Sequence, residues 1–156
     1  TFSFTLPFHP YDDMVQRPKA SFPLINKISS EKLILIAEDD KTNQMFLSQL
    51  LNNYGLQYML AENGEQAVNY YQEEPKIALI LMDVRMPIMN GVAATRAIRQ
   101  LESTLQRPPV PIIALTAAIT DLDREQNDGA GFDKYITKPF EVKELLSVIH
   151  HYLDQK

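Results

Sequence analysis

From residue 33 onward, short continuous apolar runs alternate with stretches whose apolar residues recur every three or four positions. The runs are "LILIA" (33–37), "IALILM" (77–82) and "VPIIAL" (110–115); strands buried on both faces of a parallel sheet read this way. "QYMLA" (57–61) and "KYIT" (134–137) are more mixed, which predicts edge strands. Between them lie helical stripes: Phe46, Leu47, Leu50, Leu51 and Tyr54, then Ala67, Val68 and Tyr71, then Ala94, Ile98 and Leu101. The clearest stripe comes last, with Val142, Leu145, Leu146, Ile149 and Leu153 on one face. Asn63 three before Gln66, and Thr120 three before Asp123, predict capping boxes. A fourth helix is predicted near Thr120 to Asn127, although "DREQND" has almost no apolar stripe. The pattern thus predicts five strands and five helices, an α/β protein with a parallel sheet covered on both sides.

The first thirty residues break this pattern. "TFSFTLPF" alternates Phe2, Phe4, Leu6 and Phe8 with Thr1, Ser3 and Thr5, which predicts a strand with one face meant for a core. A lone strand leaves its backbone groups unpaired and needs neighbours. From Pro7 to Ser30 the apolar residues follow neither period, and four of the ten prolines (Pro7, Pro10, Pro18, Pro23) fall in these first thirty residues. Residues 9–30 therefore read as a linker, with a domain boundary near Glu31.

Composition narrows the function classes. The 156 residues carry a formal net charge of −5 and no two adjacent basic residues, so a nucleic-acid-binding surface is not expected. Three basic and two acidic side chains give residues 1–30 a charge of +1, leaving −6 for residues 31–156. Cysteine is absent, which excludes disulfides and thiolate metal sites and fits the cytoplasm. The longest apolar runs fall far short of the roughly 20 residues that span a bilayer, so no membrane contact is expected of this stretch.

In an open α/β sheet, ligands bind beyond the carboxyl ends of the strands. Glu38, Asp39 and Asp40 come after the first predicted strand, Asp83 after the third, Thr116 after the fourth and Lys138 after the fifth. Carboxylates converging on one spot repel one another unless a cation joins them. A hard divalent ion meets that need, and Asp39 and Asp83 with a nearby backbone carbonyl make a reasonable Mg²⁺ set, Mn²⁺ being the alternative ion. Such an ion invites phosphate, and Asp83 is then a candidate nucleophile that receives a phosphoryl group as an acyl phosphate. The Lys138 ammonium and the Thr116 hydroxyl are placed to take up charge on the phosphoryl oxygens. Each residue alone is ordinary; their joint placement at strand ends carries the inference.

At these residues the sequence resembles the receiver domain of two-component response regulators, over residues 31–156. The matching motifs are "LILIAEDD", "LILMDVRMPIMNG", "IIALTA" and "YITKPF". The resemblance implies a flavodoxin-like (βα)5 three-layer sandwich with strand order 2-1-3-4-5. It implies Asp83 as phosphoacceptor, an acidic pocket of Glu38 and Asp39, and Mg²⁺ bound by Asp39, Asp83 and the Arg85 carbonyl. Lys138 would contact the phosphoryl group, preceding a cis peptide to Pro139. Thr116 and Tyr135 would be the switch pair, and the fourth helix, fifth strand and fifth helix the output and homodimer surface. Arg85 and Ala118 occupy positions that tune loss of the acyl phosphate, and the small Ala117 leaves a phosphodonor room to approach. The third-helix pattern is followed by a longer, proline-rich connection, "STLQRPP".

Such domains use no histidine of their own, so His9, His150 and His151 are expected to be bystanders. The donor is then a histidine kinase core or a histidine phosphotransfer domain, and the module promotes its own phosphorylation and dephosphorylation. "TFSFTLPF" resembles the last strand of a histidine kinase ATP-binding domain, which implies that residues 31–156 follow the kinase part of a hybrid sensor kinase, membrane-anchored or not. Residues 2–6 are expected to pair with another chain, giving a second route to a homodimer, or to dock their Phe side chains on the receiver surface. Two other readings compete. An aspartyl phosphatase needs a second Asp two residues on as general acid, where Arg85 stands; a module that is never phosphorylated has no need of the full set of site residues.

Overall fold

The five predicted strands, β1 (Leu33–Ala37), β2 (Gln57–Ala61), β3 (Ile77–Asp83), β4 (Ile112–Thr116) and β5 (Lys134–Thr137), pair in parallel in the order β2-β1-β3-β4-β5. This is the expected flavodoxin-like order, with the two mixed strands at the edges. The computed structural model describes residues 31–117 and 129–154. The opening strand, the linker, the fourth predicted helix with its Thr120 cap, and Ala118 lie outside the described residues. The helices described are α1 (Lys41–Asn53), α2 (Gly64–Glu73), α3 (Gly91–Leu105) and α4 (Val142–Asp154), the last being the predicted fifth.

Period-two alternation sorts the strand residues onto two faces. Ile34, Ile36, Leu79, Leu81, Ile113 and Leu115 pack with Leu47 and Leu51 of α1 and Leu145 and Ile149 of α4. Leu35, Ala37, Ile80, Met82 and Ile112 pack with Ala67 and Tyr71 of α2 and Ala94 and Ile98 of α3. Among the described residues three layers result: two helices, the sheet, two helices. Residues such as Leu35, Leu81 and Ile113 are fully buried, and truncating any of them to Ala costs about 2–5 kcal/mol.

Helix starts are fixed by side chains. Asp40, Asn63 and Asn90 accept from the backbone N–H three residues on, at 2.9, 2.8 and 2.8 Å. The Asn63 box closes one residue early, because Gln66 Oε1 accepts from Glu62 N–H rather than from the cap's own. Two glycines permit close approach. A Cβ on Gly91 would lie 2.1 Å from the Asp83 carbonyl oxygen, and one on Gly64 would lie 2.4 Å from that of Met89.

The structure departs from the sequence pattern in three places. The α1 stripe includes Gln44 and leaves Phe46 at 37% exposure, because Phe46 stacks on Phe140 across the top of the sheet, ring centroids 5.9 Å apart. Strand β3 runs on to Asp83, since the ladder with β4 continues through the bond from Val84 N–H to Leu115 O. Helix α3 takes in Ser103–Leu105, so the proline-rich connection is shorter than "STLQRPP" suggests. It stops at Gln106, whose φ of 55° is the left-handed stop usually given to glycine.

Candidate functional site

Strand order brings the ends of β1, β3, β4 and β5 side by side, and the polar residues there face a cleft of about 270 Å³. Asp83 closes β3 with its side chain almost fully buried, and Glu38 comes directly after β1 with no exposure at all. The Lys138 ammonium lies between them, 2.8 Å from Glu38 Oε2 and 3.2 Å from Asp83 Oδ2. It arrives on a cis peptide to Pro139, as expected, and its own N–H donates to Thr116 O at 2.7 Å.

Each carboxylate is oriented by the chain around it. Glu38 Oε1 accepts from Asp40 N–H at 3.1 Å, and Asp83 Oδ1 from Arg85 N–H at 3.2 Å. Gln44 Nε2 donates to the Glu38 carbonyl, fixing the turn that leaves β1. Sequence reasoning missed Gln44; its signal was a polar residue on the stripe that continues through Leu47 and Leu51. Asp40, one of the three acidic residues after β1, is committed as the α1 cap. Asp39 is exposed and, among the described residues, has no hydrogen-bonded partner. Thr116, Ala117 and Arg85 line the same cleft. Tyr135 does not line it: its half-buried ring packs on Phe132 at 5.6 Å.

The balance of charge is uneven. Burial and then the neighbouring Glu38 carboxylate push Asp83 up to about 7, and Lys138 offsets this only in part. For Lys138, burial disfavours the charge, but the hydrogen bond to Glu38 and the two carboxylates outweigh it and hold the ammonium above its ordinary value. Oxygen atoms of Glu38, Asp39 and Asp83 lie within 4.8 Å of one another. An all-oxygen set with surplus negative charge fits a hard divalent cation, and one ion would relieve the repulsion that raises Asp83. Both oxygens of Glu38 and both of Asp83 already have partners, so Asp39 is the freest of the three ligands.

The sequence profile described as "Response regulator receiver domain" matches residues 34–150. The chain belongs to the response regulator receiver domain family. Receiver regions of hybrid histidine kinases are among its relatives. It is 39% identical over 121 residues to hybrid signal transduction histidine kinase I of Dictyostelium discoideum, covering 75% of this chain and 7% of that protein. The chain spans only 7 to 14% of the length of the first three curated relatives it matches. Among solved structures, the receiver domain of sensor histidine kinase PA1611 from Pseudomonas aeruginosa holds a magnesium ion in its active site cleft. It is 38% identical, with a TM-score of 0.69 over 78% of this chain and 97% of that one. The receiver domain of Saccharomyces cerevisiae Ssk1, crystallised with the histidine phosphotransfer protein Ypd1, is 33% identical with a TM-score of 0.73, covering 78% and 88%. Among the described residues, no helix of this receiver domain is long and apolar enough to cross a membrane.

Proposed function

We propose that this receiver domain accepts a phosphoryl group on Asp83 from a phosphohistidine of a kinase core or phosphotransfer protein, within a hybrid sensor kinase. The observation that carries the proposal is Lys138 Nζ bridging two buried carboxylates in one cleft. An Asp83 oxygen attacks phosphorus, the P–O bond forms as the P–N bond breaks, and the imidazole nitrogen leaves with its electron pair. Asp83 must be ionised to attack, and Lys138 favours that form while neutralising charge on the incoming group. The Thr116 hydroxyl, at the end of β4, is the further donor for a phosphoryl oxygen. Bound Mg²⁺, or Mn²⁺ in its place, would supply charge neutralisation on the phosphoryl oxygens. Asp39, Asp83 and the Arg85 carbonyl would hold it, with Glu38 completing the acidic pocket. The related receiver domains crystallised with magnesium and with a histidine phosphotransfer protein support this reading.

The same reading gives Thr116 and Tyr135 the switch, with β5 and α4 in the output face, and places the module in the cytoplasm. It assigns residues 1–8 to an upstream kinase domain and 9–30 to a linker. The test is labelling by acetyl phosphate with and without Mg²⁺, in the wild type and in Asp83→Asn. Labelling that needs the metal and disappears in the folded variant is the expected result; labelling that survives the substitution overturns the assignment.

A further inference from the structure

A second cavity, of about 690 Å³, lies at the opposite edge of the sheet, where the strands begin. Its volume is that of a site for two or three large apolar groups. It passes under the start of β3: Tyr71 and Val110 line it from one side of the sheet, Tyr152 and Leu153 from the other, with Pro109 at the rim. The chain enters the fold at this groove. Lys32 is itself a lining residue, its ammonium donates to the Leu153 carbonyl, and the next residue, Leu33, donates its N–H to Lys76 O at 3.1 Å.

We infer that the groove is the docking site for the chain's own segment 22–28, "FPLINKI", which reaches it from Lys32. Four of its seven residues are large and apolar (Phe22, Leu24, Ile25, Ile28), and 21–26 carry no charge to meet Lys32 and Arg107 at the groove. Ile25 is seven residues from Lys32, a separation that spans roughly 15 Å for a random-coil chain and at most about 25 Å, so the segment can lie along the groove without leaving its mouth. So short a tether holds the segment at an effective concentration near millimolar, which lets weak apolar contacts be occupied. Aromatic-lined grooves are a recurrent docking place for proline-bearing segments, and Tyr71 and Tyr152 give this groove its aromatic walls. Docking would fix the direction in which preceding chain leaves the domain, at the edge opposite the acidic cleft. The proposal is independent of phosphorylation.

The chain has no cysteine, so Asn26→Cys can carry a single nitroxide label on the full chain. Amide signals of Ala78, Val110 and Tyr152 are expected to broaden strongly while those of Asp39 and Arg85 do not. Adding Leu24→Asp with Ile25→Asp should reduce that broadening roughly fivefold or more, as loss of an intramolecular contact does; Pro109→Glu at the exposed rim should do likewise. Weak broadening spread over the whole surface overturns the proposal, as does broadening centred elsewhere. Broadening of an isotope-labelled, nitroxide-free chain by a labelled one would assign the groove to a second copy and overturn it too.

Discussion

Two clusters of buried charge stand at opposite edges of the sheet, and they are built on opposite principles. Where the strands begin, Arg99 donates to Glu102, to the Val110 and Gly131 carbonyls and to Asp133, at 2.6 to 3.0 Å. Glu102 in turn accepts from Val110 N–H at 2.7 Å, and Asp133 from Ile112 N–H at 2.8 Å. One guanidinium there is shared by two carboxylates, each of which also takes a backbone N–H, so the balance is one of hydrogen bonds and the cluster ties α3, β4 and the approach to β5 together. Where the strands end, three carboxylates face one ammonium, and Asp83 is pushed up to about 7. The balanced cluster is satisfied within the chain; the unbalanced one leaves surplus negative charge that a cation would relieve.

Removing the cation of the balanced cluster should have the largest effect. Arg99→Ala leaves buried Glu102 without its cation and the Val110 and Gly131 carbonyls without the guanidinium donor, and should cost about 3–5 kcal/mol in a denaturant titration, while Mg²⁺ affinity stays unchanged in the folded protein. Loss of metal affinity without loss of stability would reverse the roles given to the two clusters.

The unbalanced cluster should respond with the opposite sign. Asp83→Asn removes a charge the fold resists, and metal-free stability at pH 8 should rise by about 1–3 kcal/mol. The pH dependence comes from the shift from 3.8 to about 7. A carboxyl raised on folding gives stability that is fully present below pH 3.8 and is lost as pH climbs through 7. The advantage of the variant should therefore widen between about pH 4 and 8. Mg²⁺ should close the gap by stabilising only the wild type; a gap independent of pH would remove the electrostatic cause.

A smaller effect tests the support of the site. Gln44→Ala deprives the Glu38 carbonyl of its donor, and a loss of about 1 kcal/mol is expected, with Mg²⁺ affinity weakened a few-fold, read by calorimetry. The smallest effects come from relieving backbone strain at each edge. Ile88, 78% exposed, has a φ of 69° at the centre of a tight turn closed by Met89 N–H to Pro87 O at 2.7 Å, a strained conformation for a β-branched residue. Ile88→Gly and Gln106→Gly should each raise stability by about 0.5–1 kcal/mol. Only the first, in the loop after Asp83, should change the rate of acetyl phosphate labelling; equal effects from both would detach that loop from the chemistry.

The strands were legible because burial on both faces leaves continuous apolar runs, and the site because a parallel topology gathers the residues at the strand ends along one edge. Glu38, Asp39, Asp83, Thr116 and Lys138 could thus be brought together with no knowledge of their distances. The balanced cluster was not legible: Arg99 meets Gly131 and Asp133 more than thirty positions away, and no local pattern marks such pairs. Nor could the pattern separate Asp40, spent on a helix cap, from Asp39, or see that Phe140 would draw Phe46 out of the α1 stripe. Each of these depends on which neighbour a side chain meets, and periodicity carries only the face on which it lies.

The absence of room at two glycines makes the cleft a vice with one fixed jaw. Gly91 presses on the Asp83 carbonyl and donates to Val84 O at 2.9 Å, while Gly64 presses on Met89 and donates to its carbonyl at 2.9 Å. Strand β3, the loop after it and the starts of α2 and α3 are thereby clamped into one block with no slack for a side chain. The other jaw carries Lys138 and Thr116, and the main-chain bond from Lys138 N–H to Thr116 O at 2.7 Å ties the ammonium's residue to the hydroxyl's.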